Sequence, residues 1–369
     1  MDDLFTRSIN VILANQHASG AYVACPSFTH YRYCWFRDGA FIAYAMDVVG
    51  QHESAERFHE WAAATILRHE AKAHGCIEAT QGSQQLAEGD CLHTRYDCEG
   101  HEAGDEWPNF QLDGFGTWLW ALGEHARRCG KQRLSSTGES AVRLLVNYLC
   151  ALWRNPCYDC WEEFRDKVHT STLAAIYAGL RAAVLLVRDV QALRISAEIR
   201  ALVLHEGIHE RHLVKYMGTE AVDASLVGVS VPYRLMQPDD PLMQETVARI
   251  ETDLHRPGGG VYRYAGDTYY GGGEWVLPAA WLGWYYAEVG ETARARRLLR
   301  WVEAQADTDG YLPEQVSTHL LAPGRYAEWE ARWGPVARPL LWSHAMYLIL
   351  CHSLGGCELS NQVRPSCVR

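Results

Sequence analysis

Hydrophobic residues recur along the chain at the spacing of amphipathic helices. Between residues 295 and 302, apolar side chains occupy positions i, i+3, i+4 and i+7, and arginines occupy three of the four positions between them. The segment 55–66 follows a similar rhythm. Asp240 followed by Pro241 is typical of a helix start, and the apolar spacing continues this helix to about Leu254. The pattern therefore predicts a predominantly helical protein.

The helices that this pattern predicts number about twelve. Short turns such as those at 49–51 and 289–291 join neighbouring helices, which makes them antiparallel. Twelve helices paired as six hairpins predict an all-α fold, an (α/α)6 barrel with long loops and little β structure, formed by 1–369 as a single domain. Short strands are expected only at 260–264 and 212–216. The predicted helices begin near residues 3, 37, 52, 111, 137, 169, 191, 220, 241, 275, 292 and 339.

Long irregular stretches interrupt the helices and contain most of the tryptophans, tyrosines and clustered acids. Loops of this length within a compact domain are usually functional. We expect the stretch near 70–105 to shape the outer part of a binding site. The predicted irregular stretches are 21–36, 70–110, 155–168, 255–274 and 307–338.

Composition narrows the classes of partner. The chain of 369 residues is 48% hydrophobic and carries 34 Lys and Arg against 45 Asp and Glu, a formal charge of −11. This balance argues against nucleic acid and anionic membranes as partners, and no apolar run approaches the roughly 20 residues of a membrane-spanning helix. The N-terminal residues lack the pattern of a secretory signal. We therefore expect a cytoplasmic protein whose twelve cysteines stay reduced.

A mixed acidic and aromatic segment carries the first candidate chemistry. Residues 157–164 place three carboxylates, two of them Glu162 and Glu163, beside Tyr158 and Trp161 in a predicted loop. Crowded carboxylates repel one another when ionised, which raises the pKa of at least one. A carboxyl group that stays protonated near neutral pH can act as a general acid, which cleavage of a glycosidic bond requires.

A second carboxylate candidate, Glu314, lies far along the chain and only a closed fold would bring it near Glu162. Three further segments, 31–38, 107–114 and 263–275, mix arginine, aspartate and aromatic residues. Adjacent Arg and Asp residues suit paired hydroxyl groups, because charged groups form stronger hydrogen bonds than neutral ones.

Taken together, these segments resemble glycoside hydrolase family 15, the glucoamylases and their relatives. Six matching stretches occur in the order found in the family and extend from residue 31 to residue 343. They are Tyr31–Asp38, Trp107–Gly114, Tyr158–Glu163, Arg263–Tyr270, Glu314-Gln315 and Leu341–Ser343.

The resemblance implies an (α/α)6 barrel that hydrolyses α-glucosidic bonds from the non-reducing end with inversion to β-glucose. It makes Glu162 the general acid and Glu314 the general base. We expect no metal or organic cofactor, because an acid, a base and water complete the reaction. The resemblance also implies that Arg37, Asp38, Trp161, Glu163 and Arg263 hold the terminal glucose and that Tyr31, Trp107 and Trp342 line the same pocket.

The chain length indicates a small substrate. Bacterial relatives often carry a β-sandwich domain before the barrel, and we expect neither this domain nor a starch-binding domain in 369 residues. Short sugars such as isomaltose, maltose or their oligomers are therefore the expected substrates. A trehalase of the same family, or a sugar-binding barrel without activity, remains the alternative. The sequence does not predict the oligomeric state.

Several other motifs favour other chemistry only weakly. The sequence HEGIH at 205–209 matches a zinc-peptidase pattern, but it contains a glycine and lacks a recognisable third ligand. Cys157 and Cys160 lie outside any thioredoxin-like pattern and are expected to be ordinary loop thiols. Ser343 and His344 are adjacent on a predicted helix, where neighbours do not face each other. We therefore expect neither a zinc peptidase nor a serine hydrolase.

Overall fold

Residues 4–82, 86–104, 106–131 and 133–355 are described by the computed structural model. Thirteen α-helices lie within these ranges. They are α1 (Leu4–Ala14), α2 (Phe36–Val48), α3 (His52–Arg68), α4 (Glu70–Gln81), α5 (Asp113–Arg128), α6 (Ser136–Leu152), α7 (Thr170–Val187), α8 (Val190–Glu206), α9 (Pro241–Leu254), α10 (Val276–Glu288), α11 (Thr292–Glu303), α12 (Pro323–Trp333) and α13 (Leu341–Ser353).

The helices form two concentric layers. In the inner layer, α2, α5, α7, the 3-10 segment Ala224–Val229, α10 and α13 contact one another in turn, and α13 closes the ring against α2. The outer layer contains α1, α3, α6, α8, α9 and α11. Inner helices are buried almost all round, as in α10, whereas the outer α11 buries only one stripe. This ring confirms the predicted (α/α)6 barrel.

Two glycines allow the close crossing of α5 and α7. A Cβ atom added at Gly116 would lie 2.5 Å from the carbonyl oxygen of Ala175, and one added at Gly179 would lie 2.5 Å from the carbonyl oxygen of Gly116. Because no side chain fits between them, the two backbones pack directly against each other.

Strands are few and short. Three antiparallel pairs are present in the described ranges, and they pair β1 (Cys34–Trp35) with β2 (Arg95–Tyr96), β3 (Ile208–His209) with β4 (His212–Leu213), and β5 (Glu274–Trp275) with β6 (Gln315–Val316). The prediction of a strand at 260–264 is wrong, because Val261 forms only isolated bridges to His255 and Trp275. The strand expected at 212–216 ends at Leu213.

The helix predictions fail at three places. The helix expected near residue 220 is the 3-10 segment Ala224–Val229, whose valines and glycine are weak helix formers. The stretches 70–110 and 307–338, expected to be irregular, contain α4 and α12. Helix α4 buries only Ala73 and Cys76, and α12 buries no residue completely, although its aromatic face packs against Tyr269 and Tyr270.

Helix α7 is long and apolar enough to cross a membrane, by length and composition alone. The expectation that no segment approaches this length was therefore too strict. Most of α7 is buried inside the ring between α5 and α8, and a core helix meets the same criterion.

Candidate active site

A cavity of about 520 Å³ opens at the end of the ring where the inner helices begin. The long loops that precede these helices, together with their first turns, form its walls. A cavity of this size suits a small ligand. All ten residues predicted for the site line it, namely Tyr31, Arg37, Asp38, Trp107, Trp161, Glu162, Glu163, Arg263, Glu314 and Trp342.

Asp159 organises the loop that presents Glu162. Its Oδ1 accepts hydrogen bonds from the backbone N–H groups of Trp161 and Glu163, both at 2.9 Å, in the manner of an Asx turn. Glu162 has a φ of 68°, in the left-handed region that non-glycine residues seldom adopt. Backbone strain of this kind is concentrated at functional sites.

Three N–H groups fix the carboxyl group of Glu162. Its Oε1 accepts hydrogen bonds from Trp35 Nε1 at 2.7 Å and from Gln111 Nε2 at 2.9 Å, and its Oε2 accepts one from Trp107 Nε1 at 2.8 Å. All three donors are neutral, so none of these hydrogen bonds is a salt bridge. Oε2 accepts one hydrogen bond fewer than Oε1 and can therefore form one more.

Glu314 lies in a loop that is held to α13. The hydroxyl of Ser343 donates to the carbonyl oxygen of Pro313 at 2.8 Å, and His344 Nε2 accepts from the backbone N–H of Leu312 at 3.0 Å. These bonds use Ser343 and His344 separately, as expected for residues that do not form a catalytic triad. They place Glu314 directly before β6.

The carboxyl group of Glu314 is almost completely shielded from solvent. Its Oε1 accepts a hydrogen bond from the hydroxyl of Tyr31 at 3.1 Å, and its Oε2 has no hydrogen-bond partner among the described residues. Burial raises the pKa of Glu314 to about 8. Once ionised, this carboxylate is therefore an unusually strong base.

A network of charges connects the start of α2 to the start of α5. Arg37 Nη1 donates to Gln111 Oε1 at 2.8 Å and to Asp113 Oδ2 at 3.2 Å, and Arg37 Nε lies 3.6 Å from Asp38 Oδ2. Gln111 thereby connects Arg37 to Glu162. Burial raises the pKa of Asp38 to about 7, which the Arg37 guanidinium opposes. Neither Arg37 Nε nor Asp38 Oδ2 has a hydrogen-bond partner within the described ranges, and both residues line the cavity.

Arg263 and Glu163 form a second charged pair. The guanidinium of Arg263 donates to both carboxylate oxygens of Asp267, at 2.7 and 2.6 Å, and to Glu163 Oε1 at 3.2 Å. Tyr264 donates its hydroxyl to Glu163 Oε2 at 2.6 Å. Burial raises the pKa of Glu163, and the nearby guanidinium acts in the opposite direction. Glu163 is thus tied to a cation, in contrast to Glu162.

Trp161 forms an aromatic wall that is supported from behind. Its indole N–H contacts both oxygens of Asp223, at 2.9 and 3.1 Å. The ammonium group of Lys215, which is buried, lies 2.9 Å from Asp223 and 3.4 Å from Asp159. One buried lysine therefore links the support of Trp161 to the turn that presents Glu162.

The sequence analysis missed the contribution of α12. Trp329, Arg332 and Trp333 line the cavity, and the ring of Trp333 is stacked on that of Trp107 with centroids 5.9 Å apart. Two tryptophans four residues apart lie on one face of a helix, and this spacing was the available signal. Tyr269 was missed as well, although its hydroxyl lies 2.9 Å from that of Tyr31.

The weaker motifs do not form competing sites. Helix α8 ends at Glu206, so His205 and His209 do not share a helical turn, and the side chain of His205 is 84% exposed. Cys157 and Cys160 are buried thiols of the site loop. The structure therefore gives no support to a zinc peptidase at this motif.

Comparisons with known proteins agree with this geometry. Residues 2–328 match the sequence profile of Glycosyl hydrolases family 15. The isomaltose glucohydrolase of Kribbella flavida is 44% identical over 362 residues, which cover 96% of this chain and 93% of that protein. The trehalase of Mycobacterium tuberculosis is 28% identical over 290 residues, or 73% of this chain and 42% of the trehalase.

A solved structure of a glycosidase variant in complex with glucose matches with a TM-score of 0.91 and 44% identity. The match covers 95% of this chain and 96% of the glycosidase chain. The ring, the site and the match over nearly the whole chain point to the same conclusion. The chain is a glycoside hydrolase and belongs to glycosyl hydrolase family 15.

Proposed function

We propose that the protein is an exo-acting, inverting α-glucosidase that releases β-glucose from the non-reducing end of short α-glucosides such as isomaltose. The observation that carries this proposal is that Glu162 and Glu314, from distant loops, line one cavity together with two Arg–carboxylate pairs. An inverting reaction requires such a pair of carboxyl groups, about 6.5–9.5 Å apart with a water molecule between base and sugar.

Glu162 supplies the proton in this reaction. Its Oε1 already accepts two hydrogen bonds, so the proton belongs on Oε2, which accepts only one. Oε2 donates this proton to the glycosidic oxygen as the bond from that oxygen to the anomeric carbon breaks. Glu163 is less suited to this step, because Arg263 and Tyr264 already occupy its two oxygens.

Glu314 activates the water. Its Oε2 has no partner among the described residues and accepts a proton from the water that attacks the anomeric carbon. The new carbon–oxygen bond forms on the face opposite the leaving group, which inverts the configuration. Arg37, Asp38 and the Arg263–Glu163 pair hold the sugar hydroxyls, and Trp161 packs against the ring of the sugar.

A short substrate is favoured by the pattern of similarity. The isomaltose glucohydrolase is similar over nearly all of both chains, whereas the trehalase is similar over less than half of its own length. The second candidate, an α,α-trehalase, rests on that weaker similarity. Initial rates with isomaltose, maltose, maltotriose and trehalose distinguish the two. We expect the highest kcat/KM for isomaltose, and a preference for trehalose would overturn the substrate assignment.

Variants of the two glutamates test the assigned roles. Glu162→Gln and Glu314→Gln keep the shape of the side chain but remove the acid or the base, so each lowers kcat by roughly 10²–10⁴-fold. Glu139→Gln, on the exposed surface of α6, is the matched control and keeps normal activity. Wild-type activity in either site variant would refute the role of that residue.

A further inference from the structure

A second group of metal-binding side chains lies away from the catalytic cavity, where α2, α3 and α5 pack together. Asp47 lies near the end of α2, His59 within α3 and His125 near the end of α5, and each is at most 5% exposed. Asp47 is nine residues beyond Asp38, which places it about 13 Å further along α2. The group therefore belongs to the opposite end of the ring.

The donor atoms of this group are close enough to share one ion. One ligand atom from each of Asp47, His59 and His125 lies within 4.8 Å of the other two. His125 Nδ1 is 3.0 Å from both oxygens of Asp47. Two further side chains that could bind a metal ion lie beside this group. His52 Nδ1 is 2.9 Å from Asp47 Oδ1, and Cys129 Sγ is 3.8 Å from His125 Nδ1.

The histidines of the group are left with unused nitrogen atoms. Both ring nitrogens of His59 and Nε2 of His125 are buried and have no hydrogen-bond partner among the described residues. A buried polar atom normally has a partner, and an ion is one explanation for an exception. The rings are adjacent, with centroids 5.0 Å apart, so the unpartnered ring of His59 lies beside the Asp47–His125 pair.

We propose that Asp47, His59 and His125 bind a structural Zn²⁺ ion, with Cys129 or His52 as the fourth ligand. Imidazole, carboxylate and thiolate are the ligands that zinc prefers in tetrahedral sites. Tetrahedral zinc with bonds of 2.0–2.3 Å places its ligand atoms about 3.4 Å apart. The observed separations of 3.0 and 3.8 Å reach this value after small movements of the side chains.

The hydrogen bonds around the group leave ligand atoms available to an ion. Neither ring nitrogen of His59 has a hydrogen-bond partner among the described residues, so an imidazole lone pair is available to an ion. In the metal-free protein, the proton between His125 and Asp47 occupies the place that zinc would take. Zinc binding would therefore replace this hydrogen bond, with Nδ1 of His125 and Asp47 as ligands. The side chain of His52 is 48% exposed, so the group lies close to solvent on this side.

A comparable cluster elsewhere already contains a cation. His69 and His93 lie 3.7 and 3.5 Å from Glu102, but the ammonium group of Lys72 lies only 2.7 Å from the same carboxylate. A cation already neutralises this carboxylate and would repel a metal ion. His93 is therefore a suitable control for nonspecific binding of zinc to part-buried histidines.

The test is to measure zinc binding by the full-length protein after treatment with a chelator. Titration calorimetry and elemental analysis of the wild type should give one tight Zn²⁺ per chain, with no matching Ca²⁺ binding. His59→Gln should weaken Zn²⁺ binding at least roughly tenfold, since it removes a ligand without breaking any hydrogen bond made by His59 in the described ranges. His93→Gln should bind like the wild type. Saturating Zn²⁺ should raise the Tm of the wild type more than that of His59→Gln.

Two results would overturn the proposal. One is the absence of stoichiometric Zn²⁺ binding by the wild type, which needs no variant to interpret. The other is wild-type affinity in folded His59→Gln, which would place the zinc elsewhere. If His59→Gln does not fold, Asp47→Asn and the visible spectrum of Co²⁺-loaded wild type decide instead. A spectrum without tetrahedral Co²⁺ bands would contradict the proposed ligand set.

Discussion

At the scale of single residues, the site depends on giving two carboxyl groups different surroundings. Glu162 is held by three neutral N–H donors, whereas Glu314 is buried with one hydroxyl donor from Tyr31. The sequence motif identified both residues, but adjacent glutamates cannot be told apart by composition. In the structure, Glu163 contacts Arg263 and Tyr264, whereas Glu162 is held by neutral N–H donors, and these contacts distinguish the two.

The surroundings of Glu314 predict how activity depends on pH. A general base works in its ionised form, so kcat/KM should rise as the pH increases towards the pKa of about 8. The Tyr31 hydroxyl stabilises the ionised carboxylate and lowers this pKa. Tyr31→Phe should therefore move the acidic limb of the pH profile to higher pH. A limb that stays in place or moves to lower pH would show that another group controls it.

At the scale of helices, the sequence predicts those elements whose apolar stripe faces the core. Helices α3 and α11 begin where their stripes predicted, while α4 and α12 have hardly any buried residues and were missed. Helix α12 is also the element that adds unforeseen residues to the cavity. The spacing of Trp329 and Trp333 places both on one face of α12, but it does not show that this face lines the cavity.

The position of Trp333 on α12, against Trp107, predicts an effect of this residue on substrate binding. Trp333→Ala removes the ring stacked on Trp107, which itself donates to Glu162. Stacked aromatic pairs contribute about 0.5–1.5 kcal/mol, so kcat/KM for isomaltose should fall roughly 2- to 12-fold. The midpoint of urea unfolding should fall as well, because Trp333 is partly buried and its ring also packs against those of Phe28 and Tyr269. Arg325→Ala, exposed on the same helix, is the control; equal losses in both variants would contradict a specific role for Trp333.

The crossing of α5 and α7 predicts a large effect on stability. Gly116→Ala forces a methyl group against the backbone of α7 and should reduce the free energy of unfolding by about 1–3 kcal/mol. Gly75→Ala, in α4 with no atom near the added methyl group, should instead raise it by about 0.5–1 kcal/mol. Urea unfolding of the two variants and the wild type measures both changes in the free energy of unfolding. Equal stability of the two variants would contradict the close packing described at this crossing.

At the scale of the whole molecule, closure of the ring creates the site. Tyr31 and Trp342 belong to opposite ends of the chain yet line one cavity, because α13 packs against α2. The motifs predicted this convergence, since all ten predicted residues meet there. The Asp47–His59–His125 group was not predicted, because its members belong to three helices and form no local motif. The single-domain organisation and the cytoplasmic location remain predictions from the sequence.

The central claim is that this ring hydrolyses an α-glucoside with inversion, and the configuration of the first glucose released tests it most directly. Isomaltose is mixed with the enzyme, and the anomeric protons are followed by NMR before mutarotation mixes the two forms. We expect β-glucose to appear first, because the water activated by Glu314 attacks the face opposite the bond that Glu162 protonates. Initial release of α-glucose would contradict the mechanism.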